Sequence, residues 1–276
     1  MNQRLLTIQD ISCVGQCSVT VALPVISACG IETAILPSAV LSTHTGGFTH
    51  YTFHDLTEEM PQIKNSWIAE NLKFDAFYTG YVCPSQINPI LDIINSCGTE
   101  NAIRFVDPVM ADHGKLYAGF QDDFPMQMKQ LCIGADYLIP NLTEAAFLLG
   151  QKPVLSGYSH EYIENMVKSL YEIGCKNIIL TGVSFDPKLL GIATYDGKEL
   201  RYYFNPYLPR ESHGTGDLYA SVFAGAIMRG YDLFSAAALG ADMVCLAIES
   251  TDDEHWYGVS FEKVIPTLTQ RLTQKP

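Results

Sequence analysis

The sequence predicts an α/β fold: one domain, a three-layer α/β/α sandwich around a central, mostly parallel sheet. Two observations predict it. Short continuous apolar runs, such as Leu5–Ile8, Ala76–Thr79 and Ile103–Val106, alternate with longer amphipathic stretches along most of the chain. Strands that are apolar throughout, rather than at every second residue, are buried on both faces, which helices connecting parallel strands bring about. The second observation is that 276 residues with 47% hydrophobic content, no repeat and no linker suit a single large core over residues 1–276.

The elements follow in order. Leu5–Ile8 reads as a strand. Ser18–Cys29 reads as a helix stopped by Gly30. Thr33–Leu36 is a strand, 65–72 a helix, Ala76–Thr79 a strand and Ser85–Ser96 a helix. Ile103–Val106 and Tyr137–Ile139 are strands, with a short helix at Leu142–Leu149. His160–Ile173 is helical up to Gly174, and Asn177–Leu180 is a strand. Leu190–Tyr195 and Glu199–Phe204 flank Asp196-Gly197, a hairpin signal. Helices then run over Thr215–Met228, Leu233–Ile248 and Phe261–Leu272. Ligands of such sheets bind at the carboxyl ends of the strands. Asp10, Gly80-Tyr81, Asp107, Asn141 and Thr181-Gly182 each follow an expected strand by a residue or two.

Composition excludes several functions. With 30 acidic against 17 basic residues the net charge is −13, which disfavours a binder of nucleic acid or anionic membranes. No apolar run is read as long enough to span a bilayer, and the N-terminus lacks a signal-peptide stretch, so the expected location is cytoplasmic. None of the eight cysteines forms a Cys-x-x-Cys pair, so they read as reduced thiols. Cys13 and Cys17, beside the first glycine turn, are read as candidates for oxidation.

Three constellations carry chemistry. His213-Gly-Thr-Gly-Asp217 opens a helix, where backbone N–H groups can hold an anion. A carboxylate beside a captured phosphate makes sense when it takes the proton of a hydroxyl that attacks that phosphate. Asp107-Pro-Val-Met-Ala-Asp112 and Asn141-Leu-Thr-Glu144 place carboxylates just past two strands, hard oxygen donors suited to Mg²⁺. Asn141 with Glu144 equally reads as a capping box. The polar loop Ser42–His50, with His44 in it, suits contact with a polar small molecule, and His44 is a candidate substrate-binding residue. His50 and His54 have metal-like spacing, but no carboxylate or Cys completes a site. Neither a Walker loop nor a Gly-x-Gly-x-x-Gly after the first strand is present.

Together these motifs resemble the ribokinase-like superfamily and, within it, the vitamin B6 kinases. The resemblance runs over nearly the whole chain: Leu6-Thr-Ile-Gln9, Thr43-His-Thr-Gly46, Thr79-Gly-Tyr81, Asp107-Pro-Val-Met110, Pro140-Asn141 with Glu144, and Gly214-Thr-Gly-Asp217. It implies ATP-dependent phosphorylation of the 5′-hydroxymethyl group of pyridoxal, pyridoxine or pyridoxamine. Asp217 would be the general base, and Gly214, Thr215 and Gly216 the anion hole. Asp10, His44, Thr45 and Tyr81 would face the substrate. Asn141, Thr181, Asp112 and Tyr117 would contact ATP, Tyr117 as a flap residue. Glu144 and Asp112, supported by Asp107, would orient Mg²⁺. The implied cofactor is Mg²⁺ with ATP, a monovalent cation being a further candidate, and the implied assembly a homodimer. The chain departs from the pattern at Asp10, where B6 kinases carry Ser, and at His213, where a small apolar residue is usual. A hydroxymethylpyrimidine kinase of thiamine biosynthesis is the nearest alternative, and a sugar kinase of the same fold a more distant one.

Overall fold

The computed structural model describes residues 3–210 and 212–273. The chain divides into two compact units, one formed by residues 1–103 and 208–276, the other by residues 104–207.

The first unit begins with β1 (Arg4–Ser12), α1 (Val19–Ala28), β2 (Glu32–Leu41), β3 (Phe53–Asp55), α2 (Met60–Ala69), β4 (Phe74–Thr79) and α3 (Ile87–Cys97). β5 (Gly98–Val106) then carries the chain from the first unit's residues into the second's. β1 pairs in parallel with β2 and β4, and β3 adds an antiparallel edge to β2. Leu5, Leu6, Thr7, Ile8 and Gln9 are all fully buried, as a strand covered on both faces requires.

The second unit contains β6 (Ala111–Asp112), β7 (Lys115–Leu116), α4 (Phe124–Cys132), β8 (Tyr137–Leu138), α5 (Leu142–Leu148), α6 (His160–Glu172), β9 (Ile178–Val183), β10 (Leu189–Tyr195) and β11 (Leu200–Pro206). β5, β8 and β9 run parallel, and β10 and β11 continue antiparallel from β9. The expected α/β class with a mostly parallel sheet therefore stands, and the Asp196-Gly197 hairpin forms where it was expected.

The chain returns to the first unit with α7 (Thr215–Met228), α8 (Leu233–Ser250) and α9 (Ile265–Thr273). Every residue of α7 from Leu218 to Met228 is buried, so this helix is apolar all round and packs between α1 and α8. Gly225 permits the approach of α1: a Cβ there would lie 2.4 Å from Cys29 Sγ.

Some expectations change. By length and composition α8 is apolar enough to cross a membrane, against the sequence reading that no run was. It packs along α7 with one side buried, and its Asp242 pairs with Arg271 of α9 at 2.6 Å. β1 runs on to Ser12, so Asp10 lies inside the strand rather than after it, and Thr181-Gly182 likewise lies within β9. Pairing with β2 slips between Gln9 and Ile11, which gives the strand end beside Asp10 its irregular register. β3, α4 and the β6–β7 hairpin are additional elements. In that hairpin His113 (φ 48°) and Gly114 (φ 77°) both adopt positive φ, as a two-residue turn demands.

Candidate active site

In the first unit, Gly214 has φ 75° and caps the N-terminus of α7. A Cβ on it would stand 1.8 Å from the backbone oxygen of Gln16, so both conformation and space require glycine. Leu218 N–H donates to Gly214 O at 3.0 Å, the first turn of the helix. The N–H groups ahead of it have no intrahelical acceptor and form the positive end of the dipole. A Cβ on Gly216 would meet no atom within 4 Å, so the backbone is open to a ligand there. Thr215 Oγ1 donates to Ser212 O at 3.4 Å.

Asp217 lies in that first turn, and the backbone of Ser18 favours its charged form. Burial pushes its carboxyl up to about 6, and the nearby Asp10 carboxylate adds to the rise. A carboxylate near 6 is ionised at neutral pH yet basic enough to accept a proton in a transition state.

Asp10 is buried and accepts from Ser12 Oγ at 3.0 Å. The Ser18 side chain also favours its charged form. Burial raises the Asp10 carboxyl, opposed by these hydroxyls and by His44. Neither Ser12 nor Ser18 was singled out from the sequence. Ser12 was legible as the residue two beyond Asp10 on the same strand face. Cys17 lies against both carboxylates, and burial together with Asp217 and Asp10 drives its thiol far above the ordinary range. A thiol that holds its proton is a poor nucleophile, which weighs against the expectation that Cys17 is oxidation-sensitive. Cys13 is exposed.

His44 is buried, and both its ring nitrogens are engaged by the protein. Nδ1 accepts from Gly46 N–H at 3.1 Å, so Nε2 carries the proton and donates to Tyr257 O at 2.8 Å. The ring leaves no nitrogen for a ligand, and it fills the space a Cβ on Gly15 would occupy. Its role is to shape the loop that presents Thr45, which is exposed. His44→Ala should leave Gly46 N–H and Tyr257 C=O without their partner and cost about 1–3 kcal/mol of stability, read by chemical denaturation. His213 gains an account here. Its ring lies over Gly46, where a Cβ would be 2.4 Å from Cε1, and 4.9 Å from the His44 ring. It docks the start of α7 onto the Thr43–Gly46 loop. Phe48 packs on Trp256 at 4.7 Å on the far side of that loop. Tyr81 follows β4, and burial drives its hydroxyl upward, with Cys83 and Asp10 adding to the rise. His50 and His54 are exposed.

The second unit gathers a separate set. Asn141 caps α5: its Oδ1 accepts from the N–H groups of Thr143 (2.8 Å) and Glu144 (2.9 Å). Its Nδ2 donates to Ala111 O at 2.8 Å. Glu144 completes the capping box, with Oε2 accepting Asn141 N–H at 2.9 Å and Oε1 accepting Met110 N–H at 3.1 Å. Burial raises the Glu144 carboxyl and Asp112 adds to it, while the backbone donors hold it down. Asn141 pairs with Thr181, whose hydroxyl donates to Pro140 O at 3.3 Å. Gly182 beside it has φ 78° and open space beyond its Cα. Asp112 Oδ1 accepts from His113 N–H at 2.7 Å, and its carboxylate is half exposed. Asp107 is buried. Tyr117 is partly exposed, its N–H bonded to Met110 O at 2.9 Å.

Among the described residues, no three His, Cys, Asp or Glu side chains converge on one point as a metal cage would need. The donor chemistry still fits Mg²⁺ in its usual manner, with one or two carboxylates acting on a largely hydrated ion. Asp112 has the accessible carboxylate for this, whereas Glu144 is occupied by backbone N–H groups on both oxygens.

Comparison with known proteins supplies the family. The phosphomethylpyrimidine kinase family model matches residues 19–259. A phosphomethylpyrimidine kinase candidate from Bacteroides thetaiotaomicron VPI-5482, solved with pyridoxal, superposes with a TM-score of 0.92 at 32% identity, covering 97% of this chain and 96% of that one. Pyridoxal kinase from Lactobacillus plantarum gives 0.89 at 31% identity, over 99% and 98% of the two chains. The thiamine biosynthetic bifunctional enzyme TH1 of Arabidopsis thaliana is 27% identical over 84% of this chain, which spans only 44% of that protein's length. With a family model matched over most of its length, the chain belongs to the phosphomethylpyrimidine kinase family of the ribokinase-like superfamily, a family of phosphotransferases that includes the B6 kinases.

Proposed function

We infer that this protein transfers the γ-phosphoryl group of ATP to the 5′-hydroxymethyl group of a vitamin B6 vitamer, in pyridoxal 5′-phosphate salvage. The observation that carries this reading is the pair of carboxylates in the first unit. Asp217, held up to about 6 by burial and by Asp10, sits in the first turn of α7. It accepts the proton of the attacking alcohol, while the N–H groups of Thr215 and Gly216 receive negative charge on the transferred group. Asp10, buried within reach of the same base, is placed to favour a protonated ring nitrogen, since a carboxylate stabilises the pyridinium form. In the second unit Asn141, Thr181 and the open backbone at Gly182 would take the nucleotide phosphates. Asp112 would hold Mg²⁺ through its waters, with Asp107 and Glu144 shaping the loop, and the ion would neutralise phosphate charge. Residence in the cytoplasm and assembly as a homodimer belong to the same reading.

The alternative acceptor is hydroxymethylpyrimidine, favoured by the name of the matching family. Both are flat heteroaromatic rings bearing a hydroxymethyl group. An ATP-consumption assay with pyridoxal, pyridoxine, pyridoxamine, hydroxymethylpyrimidine and simple sugars tests the reading. Turnover confined to hydroxymethylpyrimidine or a sugar would overturn it. Asp10→Ser should alter the order of kcat/KM among the four heteroaromatic rings, by roughly tenfold for the most basic one, as expected for one lost charged contact. An unchanged order would remove Asp10 from the substrate.

A further inference from the structure

Gln16 is tied to parts of the chain that its own turn does not need. The Gly15–Cys17 turn between β1 and α1 is closed locally, by Thr20 Oγ1 donating to Cys17 O at 2.8 Å and to Gly15 O at 3.1 Å. The Gln16 side chain reaches instead to the last part of the first unit. Its Nε2 donates to Oε1 of Glu262 at 2.6 Å, in the 3₁₀ turn Phe261–Lys263. That bond fixes the amide, because turned over it would set its oxygen against a carboxylate. Oε1 is therefore left to accept from His255 Nε2, at 2.6 Å. The backbone follows the same path: Gln16 N–H donates to Tyr257 O at 3.4 Å, and a parallel bridge pairs Gln16 with Gly258. A Cβ on Gly258 would stand 2.6 Å from the Gln16 Cβ, so glycine lets the two segments lie this close. Phe261 and Val264, on either side of Glu262, are buried, which roots the clamp in the core. The carbonyl oxygen of the same Gln16 is the atom that meets Gly214, at 1.8 Å from a Cβ placed there. Gly214 caps α7, and Thr215 and Gly216 follow it with N–H groups that no helical carbonyl takes.

We propose that Gln16 is a positioning residue for phosphoryl transfer: clamped by His255 and Glu262, it sets where the Thr215 and Gly216 N–H groups point without itself touching substrate. This rests on the reading of the α7 start as the anion hole. Donors that stabilise a transition state act only when held in place beforehand, and a displacement of about 1 Å can cost on the order of 10²-fold in rate. Thr20 closes the turn from within but fixes nothing outside it. The amide clamp adds a support from a separate, core-rooted turn, and the bond to a carboxylate is of the stronger kind. The same segment also serves the acceptor loop, since Tyr257 O accepts from His44 Nε2 at 2.8 Å and His44 Nδ1 accepts from Gly46 N–H. Residues 255–258 therefore brace the anion hole through Gln16 and the Thr43–Gly46 loop through His44.

The test compares Gln16→Met, which keeps the length of the side chain and loses both of its bonds, with Glu262→Ala and Glu262→Gln. It reads the Thr215 and Gly216 amide resonances of the whole protein without substrate, and kcat and KM with the acceptor that the wild type turns over. In Gln16→Met both resonances should move, and kcat should fall about tenfold or more while KM changes less, because the anion hole acts most strongly in the transition state. Glu262→Ala should move the same resonances and lower kcat by a smaller factor. It also removes a negative charge, which by itself would favour an incoming phosphate and raise kcat. Glu262→Gln, whose amide oxygen still accepts from Gln16, should restore both readouts. Unmoved resonances or an unchanged kcat in Gln16→Met, a kcat raised by Glu262→Ala, or a Glu262→Gln as impaired as Glu262→Ala overturns the proposal. A role in stability alone would lower the Tm of Gln16→Met and leave the kcat of the folded protein unchanged. If the wild type phosphorylates no acceptor, the proposed function fails, and the two resonances still decide the role of Gln16.

Discussion

Asp217→Asn should reduce turnover by at least 10²–10⁴-fold, the typical contribution of a positioned general base, while nucleotide binding, measured by calorimetry, stays within a few-fold of the wild type. The substitution keeps the shape of the side chain, so it removes proton acceptance and little else. A near-normal kcat would refute the assignment of the base. The pH dependence gives a second view. With the carboxyl near 6, kcat/KM should fall about tenfold per pH unit below that value as the base becomes protonated. Stability moves the other way. Folding raises this pKa from 3.8 to about 6, so the native state keeps a proton that the unfolded chain has released. The stability this gives is fully present below 3.8 and is lost as pH rises through about 6. Asp217→Asn, which has no charge to bury, should therefore raise the Tm at pH 8, and the gain should vanish by about pH 4. A variant that is both more stable and inactive is the signature of a carboxylate kept for chemistry.

The elements whose signals are local were legible in the sequence. α7 begins and ends at Thr215 and Met228, as its apolar run and its glycine start imply. Asn141 and Glu144 form the capping box that their spacing suggested. α4 escaped because Pro125 near its start and the mixed Met-Gln-Met-Lys-Gln stretch blur the helical period. β3 is three exposed residues that join the sheet by pairing with β2, so no apolar pattern in its own side chains announces a strand. Within the candidate site, residue types pointed to Asp10 and Asp217, but their mutual approach is a long-range contact that no local pattern encodes. Ser18 was legible as the start of a helix, whereas its positive φ at the N-cap was not. His44 illustrates the converse: its place in a polar glycine-bearing loop suggested a ligand contact, and two hydrogen bonds within the protein consume its nitrogens. His213 became intelligible only once Gly46 was seen beneath it.

Gly214 and Gly216 look equivalent in the motif, and their surroundings separate them. Gly214→Ala must place a methyl group 1.8 Å from the Gln16 carbonyl oxygen at φ 75°. The left-handed conformation alone costs an alanine about 1–2 kcal/mol. The clash is with backbone, which Gln16 cannot simply swing aside. Its amide oxygen bonds His255 at 2.6 Å, its amide nitrogen bonds Glu262 at 2.6 Å, and its backbone pairs with Gly258. Overpacking against such a fixed neighbour adds about 1–3 kcal/mol. A total loss of roughly 2–5 kcal/mol should appear in denaturant unfolding, with turnover lost as the Cys17–Ser18 segment shifts. Gly216→Ala meets no atom and no positive φ, and alanine is the better helix former by up to about 1 kcal/mol. It should fold as well as the wild type or better, yet its methyl group would stand where the first-turn N–H groups open to a ligand. Reduced kcat at full stability in Gly216→Ala, beside lost stability in Gly214→Ala, would show that the first glycine builds the loop and the second keeps it open. Equal destabilisation of both would mean that the pair serves only to start the helix.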